Sequence, residues 1–170
     1  RVSSDRRQIS ITVKKAGFVS SYLHSLANRR VEVDVLGFGG SFDAFENGHP
    51  LPRMLWIAGG VGITPFLAMY RALRASGEPM PDIELFYACR LDEADLVREL
   101  TGITIHIFDS KAPPDSQVNR RRIRAEDFDA VTLDGATVFV CGPESFMEDV
   151  RSWIEPKVDP ARLRFEHFNF

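Results

Sequence analysis

Two cysteines, Cys89 and Cys141, are all the thiols in this 170-residue chain, and a ferredoxin-type iron-sulfur cluster needs four thiolates. Such a centre is therefore excluded within the chain. Lys and Arg number 21 against 24 Asp and Glu, a net charge of −3, so no global positive field draws the protein to nucleic acid. The one dense basic stretch, Arg120, Arg121, Arg122 and Arg124, reads as a solvated loop. No apolar run approaches the roughly 20 residues that cross a bilayer. His24, His49, His106 and His167 show no metal-ligand spacing, and no Ser, Cys or Asp stands with them in a hydrolase pattern. Both absences point away from a metal site and from hydrolysis. The chain opens on Arg1, without an initiator methionine or an apolar leader followed by small residues. A fragment of a longer protein is expected.

What is present is an ordinary folded composition, 44% hydrophobic and 26% charged, which argues against disorder. A disulfide between the two cysteines stays open on paper. Both follow apolar runs, however, where a buried reduced thiol is the reading adopted, and a reducing, cytoplasmic compartment is expected.

Residues 8–14 (Gln-Ile-Ser-Ile-Thr-Val-Lys) alternate like a half-buried strand, and a turn follows at Lys15, Ala16 and Gly17. Ser20 or Ser21 can cap a short helix carrying Tyr22, Leu23 and Leu26. Val31, Val33 and Val35 then alternate as a second strand that ends at Gly37, Gly39 and Gly40. After a linker at residues 46–52 the pattern changes to continuous apolar runs separated by helical stretches, the appearance of buried parallel strands with crossover helices. The runs predict strands at 54–58, 83–88, 103–108, 137–141 and 163–166, with helices at 65–75, 93–100, 125–128 and 144–154. The expected fold is α/β, a five-stranded parallel sheet flanked by helices.

The first parallel strand meets its helix through Gly59-Gly60-Val61-Gly62-Ile63-Thr64-Pro65. Glycines let backbone amides approach a bulky anion, Thr64 is a natural N-cap, and Pro65 fits the first helical position. The helix start then offers N–H groups and a positive dipole end to a pyrophosphate, although a glycine-rich turn can also be only a tight connection. A second strand-to-helix turn, Cys141-Gly142-Pro143, follows the fourth strand. Ligands of open parallel sheets lie at the carboxyl ends of strands, so the two turns should line one crevice.

These two runs, separated by three strand-helix units, resemble the pyridine-nucleotide domain of the ferredoxin-NADP reductase family. The closing Phe165-Glu166-His167-Phe168 is similar to that family's Glu-x-aromatic end. Residues 11–14 together with 17–24 resemble the strand and helix that close over a flavin pyrophosphate. The family's Arg-x-aromatic-Ser/Thr flavin strand is not in this chain. The resemblance implies residues 1–48 as the last part of an antiparallel FAD-binding β-barrel and residues 49–170 as the NAD(P)H-binding domain.

It further implies hydride transfer from NADH or NADPH to FAD and onward to an acceptor, whether heme, iron-sulfur or small molecule. Gly59, Gly60 and Gly62 would border the nucleotide pyrophosphate, with Gly142 and Pro143 opposite. Thr64 would touch the nicotinamide half, Cys141 would lie beside the reacting carbon, and Glu166 would organise polar contacts near the rings. Phe168 would pack on the flavin, while Lys14, Gly17, Val19, Ser20 and Ser21 would hold its phosphates. At the end of the second parallel strand, Arg90 could meet a 2′-phosphate, whereas Asp92 or Glu93 could accept from a free 2′-hydroxyl and favour NADH. The alternative is a nucleotide-binding or structural module that keeps the fold without the chemistry.

Overall fold

The computed structural model describes residues 9, 11–15, 17–37 and 39–167. Phe168, Phe170 and part of the expected 8–14 strand lie outside the described residues. The chain divides into two compact units, Arg1–Ser41 and Phe42–Phe170.

In the first unit, helix α1 spans Phe18–Ser25. Neither Ser20 nor Ser21 caps it. Gly17 is the N-cap, Ser20 stands three residues inside the helix with its hydroxyl accepting from the Gly17 N–H at 2.8 Å, and the Ser21 N–H bonds the Gly17 carbonyl. The short serine side chain reaches backward, so the helix starts one turn earlier than a capping serine would allow. Residues 11–15 and 29–37 carry no strand. Ile11 is 75% and Val33 75% exposed, so the alternation is present without a ladder partner among the described residues.

In the second unit, β1 (Phe45–Glu46) and β2 (His49–Pro50) form an antiparallel pair closed by Asn47 and Gly48, both with positive φ (52° and 84°). Asn-Gly suits the two-residue turn whose twist matches its strands. The segment from Phe42 to Gly48, which the family resemblance assigns to the first domain, thus packs with the second unit. Phe42 meets the rings of Phe66 and Phe139 edge-on at 5.6 and 5.1 Å, and Ala44 is fully buried.

There follow β3 (Arg53–Gly59), α2 (Thr64–Ser76), β4 (Asp82–Ala88), β5 (Thr104–Phe108), β6 (Thr137–Cys141), α3 (Glu144–Ile154) and β7 (Leu163–Glu166). The five long strands are all parallel in the order β5-β4-β3-β6-β7. Successive side chains of β3 go to opposite faces. Met54, Trp56 and Ala58 pack with Phe66, Tyr70 and Leu73 of α2, while Leu55 and Ile57 pack with Met147, Val150 and Ile154 of α3. Both faces being covered, the strands are continuous apolar runs. Gly77, at φ 77°, ends α2 in the left-handed conformation that favours glycine.

The expected helix at 93–100 is instead a run of 3-10 turns over Leu91–Val97, and Ala125–Phe128 is likewise 3-10. Asp92, Glu93 and Asp95 leave the first of these little apolar surface to bury, and Val97 is its single buried residue. Tertiary packing, which stabilises most short helices, has little to grip there. Among the described residues no helix is long and apolar enough to cross a membrane.

Candidate functional site

The chain leaves β3 toward β4 and leaves β6 toward β7, in opposite directions along the sheet, although β3 and β6 are neighbours. Their helices consequently cover opposite faces. The carboxyl ends of these two strands form the topological switch point at which open α/β sheets bind ligands. Both turns singled out from the sequence stand there.

After β3, Gly59 is extended and Gly60 adopts φ 53°. A 3-10 turn, Gly60–Ile63, then runs straight into α2. Thr64 (φ −64°, ψ −37°) is already helical, its N–H directed to the Val61 carbonyl, and Ile63 before it is helical too. Thr64 is therefore the first residue of α2 and not its cap, because the 3-10 turn carries the helical path back to Gly60. Neither start has a side-chain cap. After β6, Gly142 and Pro143 (φ −57°, ψ 148°) lead directly into α3.

The glycines let these turns touch. A Cβ on Gly62 would stand 2.2 Å from the Cys141 carbonyl oxygen and 2.8 Å from the Gly142 nitrogen. One on Gly142 would stand 2.7 Å from Phe146 Cδ1 and 3.2 Å from Gly59 Cα, and one on Gly59 would meet Phe146 at 3.0 Å. Backbone rests on backbone at Gly62, and this close approach accounts for that glycine, while Gly59 and Gly142 leave room for the Phe146 ring. Gly60 is favoured instead by its positive φ.

Strand register aligns Tyr87, Ala58, Cys141 and Glu166 in one row across β4, β3, β6 and β7. Cys141 is fully buried. Burial first, and then the charge of Glu166, push its thiol up to about 12, so it is a neutral thiol. Glu166 is half-buried. Tyr87 is fully buried, and its hydroxyl donates to the Gly60 carbonyl at 3.2 Å. Burial raises the tyrosine's pKa well above the usual phenol range, with lesser contributions from Cys89 and Glu93. Burial, then Glu93 and Asp109, likewise push the Cys89 thiol up to about 12. Both cysteines are free.

At the end of β4, the Arg90 guanidinium lies 3.3 Å from Asp92 and its backbone N–H donates to Glu93 at 3.3 Å. Both acids that could read a ribose are thus engaged with Arg90. Asp109, buried just beyond β5, accepts from the Leu91 N–H at 2.9 Å and the Lys111 N–H at 2.8 Å. It ties the Arg90 segment to the neighbouring strand end.

The basic stretch is partly structural. Arg121 pairs with Asp127 and lies 5.2 Å from the Phe108 ring centre, and Arg120 donates to the Ala112 carbonyl. The Arg121 bond holds the Asp127 carboxyl below the usual carboxylate range.

Gly59, Gly60, Gly62, Thr64, Cys141, Gly142, Pro143 and Glu166 are therefore gathered at one end of the sheet, with Arg90 at the end of the adjoining strand β4. Lys14, Gly17, Val19, Ser20 and Ser21 belong to the other unit. Sequence reasoning missed Tyr87 and Asp109. Asp109 carried a signal, a lone acid directly after an apolar run, while Tyr87 becomes visible only through register.

Residues 56–152 match the oxidoreductase NAD-binding domain family. The chain is 28% identical to the 2-halobenzoate 1,2-dioxygenase electron transfer component of Burkholderia cepacia, over 89% of this chain and 47% of that protein. It is 31% identical to the toluate 1,2-dioxygenase electron transfer component of Pseudomonas putida, over 95% of this chain and 50% of that protein. Among solved structures it resembles the flavohemoglobin of Malassezia yamatoensis, determined with bound FAD and heme. The TM-score is 0.67 at 20% identity, covering 98% of this chain and 45% of that one, a likeness of fold. The chain spans about half the length of the curated relatives it matches.

Proposed function

Because the chain belongs to the oxidoreductase NAD-binding domain family, we propose that it is the nucleotide-binding part of a flavin-dependent reductase, taking hydride from NADH or NADPH. The observation that carries this reading is the meeting of two glycine turns, backbone on backbone, at the switch point between β3 and β6. Residues 49–170 bind the nucleotide. Residues 1–48 contribute the closing part of an FAD-binding barrel, residues 42–48 being its segment that packs with the nucleotide-binding unit.

In this reading the amides of the Gly59–Gly62 turn and the positive end of the helical path border the pyrophosphate. Thr64 contacts the nicotinamide half, and Gly142 with Pro143 forms the opposite wall. Cys141 stays a neutral thiol and shapes the place of the reacting carbon, since its burial disfavours the thiolate that covalent chemistry would need. Glu166, its neighbour in register, orients polar groups at the rings. The protein's task is to align two rings and exclude water.

The first unit suits a flavin phosphate. The first turn of α1 contains no acidic residue, Gly17 caps it, and Lys14, Val19, Ser20 and Ser21 lie close in sequence. FAD, when bound, supplies the ring that accepts hydride and releases electrons to the acceptor. The acceptor is a heme, an iron-sulfur centre or a small molecule, and the free cysteines support a cytoplasmic setting.

The visible spectrum of the full-length protein tests the reading. Flavin bands that NADH bleaches without oxygen are the expected result. Flavin-free protein that still binds NADH would favour a non-catalytic nucleotide module, and absence of nucleotide binding would overturn the site itself.

A further inference from the structure

We infer that Tyr87 is a positioning residue for the nucleotide pyrophosphate, acting through the Gly60 peptide without touching the nucleotide. The inference rests on the reading above and adds to it a side chain on a different strand. The turn it supports is weakly self-determined. Three of its first four residues, Gly59, Gly60 and Gly62, are glycines, which have the widest backbone freedom of any residue, and no side chain caps either helical start. Tyr87, by contrast, is held in a central strand, fully buried, with Ala58 beside it in register. Its hydroxyl donates to the Gly60 carbonyl at 3.2 Å.

The peptide joining Gly60 to Val61 is a rigid plane in which C=O and N–H point in opposite directions. Drawing the Gly60 oxygen to the Tyr87 hydroxyl therefore turns the Val61 N–H away from Tyr87, the side on which the pyrophosphate is proposed to sit. Gly60 reaches this orientation at φ 53°, a conformation that glycine adopts without strain. The hydroxyl remains protonated because burial disfavours the phenolate, so the bond persists through the neutral pH range.

Tyr87→Phe in the full-length protein removes the hydroxyl and keeps the ring. Losing one net hydrogen bond's worth of preorganisation should raise the KM for NADH, and the inhibition constant of ADP-ribose, by about three- to tenfold. The kcat should stay within about twofold, and the inhibition constant of adenosine, which has no phosphate, should not move. That contrast separates positioning from general destabilisation. An unchanged KM in the variant, or equal weakening of ADP-ribose and adenosine, would overturn the role of Tyr87 while leaving the reductase reading intact. Failure of the unaltered protein to bind NADH and ADP-ribose would overturn both.

Discussion

The turn after β3 and the turn after β6 deliver helices to the same edge of the sheet, one through a glycine-rich 3-10 coil, Gly60–Ile63, and the other through Gly142 and Pro143 alone. Pro143 has its φ fixed by its ring and needs no outside support. The longer turn takes its shape from its surroundings, namely the Tyr87 hydroxyl on Gly60 and the Cys141 carbonyl against Gly62. The short turn thus acts as a fixed wall, and the long turn is moulded onto it. A cradle for an anion can be built this way, with flexible amides aimed by rigid neighbours.

The largest effect should come from the side of the moulded turn that presses on the wall. Gly62→Ala would put a Cβ 2.2 Å from a backbone oxygen, and neither backbone can yield without parting the turns. A loss of about 3 kcal/mol or more is expected, or failure to fold. Gly142→Ala meets first the ring edge of Phe146 at 2.7 Å, which can rotate, so about 1–2 kcal/mol is expected. Denaturant unfolding of the two variants measures the difference. Equal losses would break the asymmetry between the turns.

A smaller effect, chiefly on rate, belongs to Cys141 at the foot of the fixed wall. Cys141→Ala should slow flavin reduction, by up to about a hundredfold if the reacting atoms shift by an ångström. Cys141→Ser, nearly the same size, should retain more activity. With the thiol pushed up to about 12, the wild-type rate should show no thiol ionisation between about pH 6 and 9. The sign for stability follows from the same shift: the unfolded thiol ionises first as pH rises, so stability is lost above about pH 9, and Cys141→Ala should lessen that loss. Stopped-flow reduction by NADH checks the rates. A trapped covalent adduct at Cys141, or complete inactivity of both variants, would remove the positioning account.

The sequence was most readable where packing on both sides of the sheet dictates it. Thr137–Cys141, Glu144–Ile154 and Leu163–Glu166 have the bounds their apolar patterns predict. The pattern misled where apolar residues lack a partner surface: Val31, Val33 and Val35 alternate without a strand, and residues 93–100 form no α-helix. At the site, both turns were visible because glycine and proline carry their backbone meaning in their identity. The row from Tyr87 to Glu166 was not, since register is set by four strands far apart in the chain. Nor could the sequence show that Gly62 is needed against the Cys141 carbonyl, a close approach made only after β3 and β6 pair.

The smallest expected effect lies away from both turns and marks how far the crevice extends. Arg90 stands two residues past β4, exposed, with its guanidinium 3.3 Å from Asp92 and its N–H on Glu93. An exposed pair of this kind is worth about 1 kcal/mol or less, so a 2′-phosphate could displace Asp92 from the guanidinium. It would then have to stand beside two carboxylates. NADH is therefore the expected preference of the wild-type protein, with NADPH accepted through Arg90. Arg90→Ala should lower kcat/KM for NADPH by about tenfold, the size of one lost charge-assisted contact, and leave that for NADH within about twofold. Steady-state kinetics with both nucleotides decides it. A strong wild-type preference for NADPH would overturn the reading of the acidic pair. Equal losses on the two nucleotides would mean that Arg90 supports the β4 end itself, moving the ribose contact elsewhere along the sheet edge.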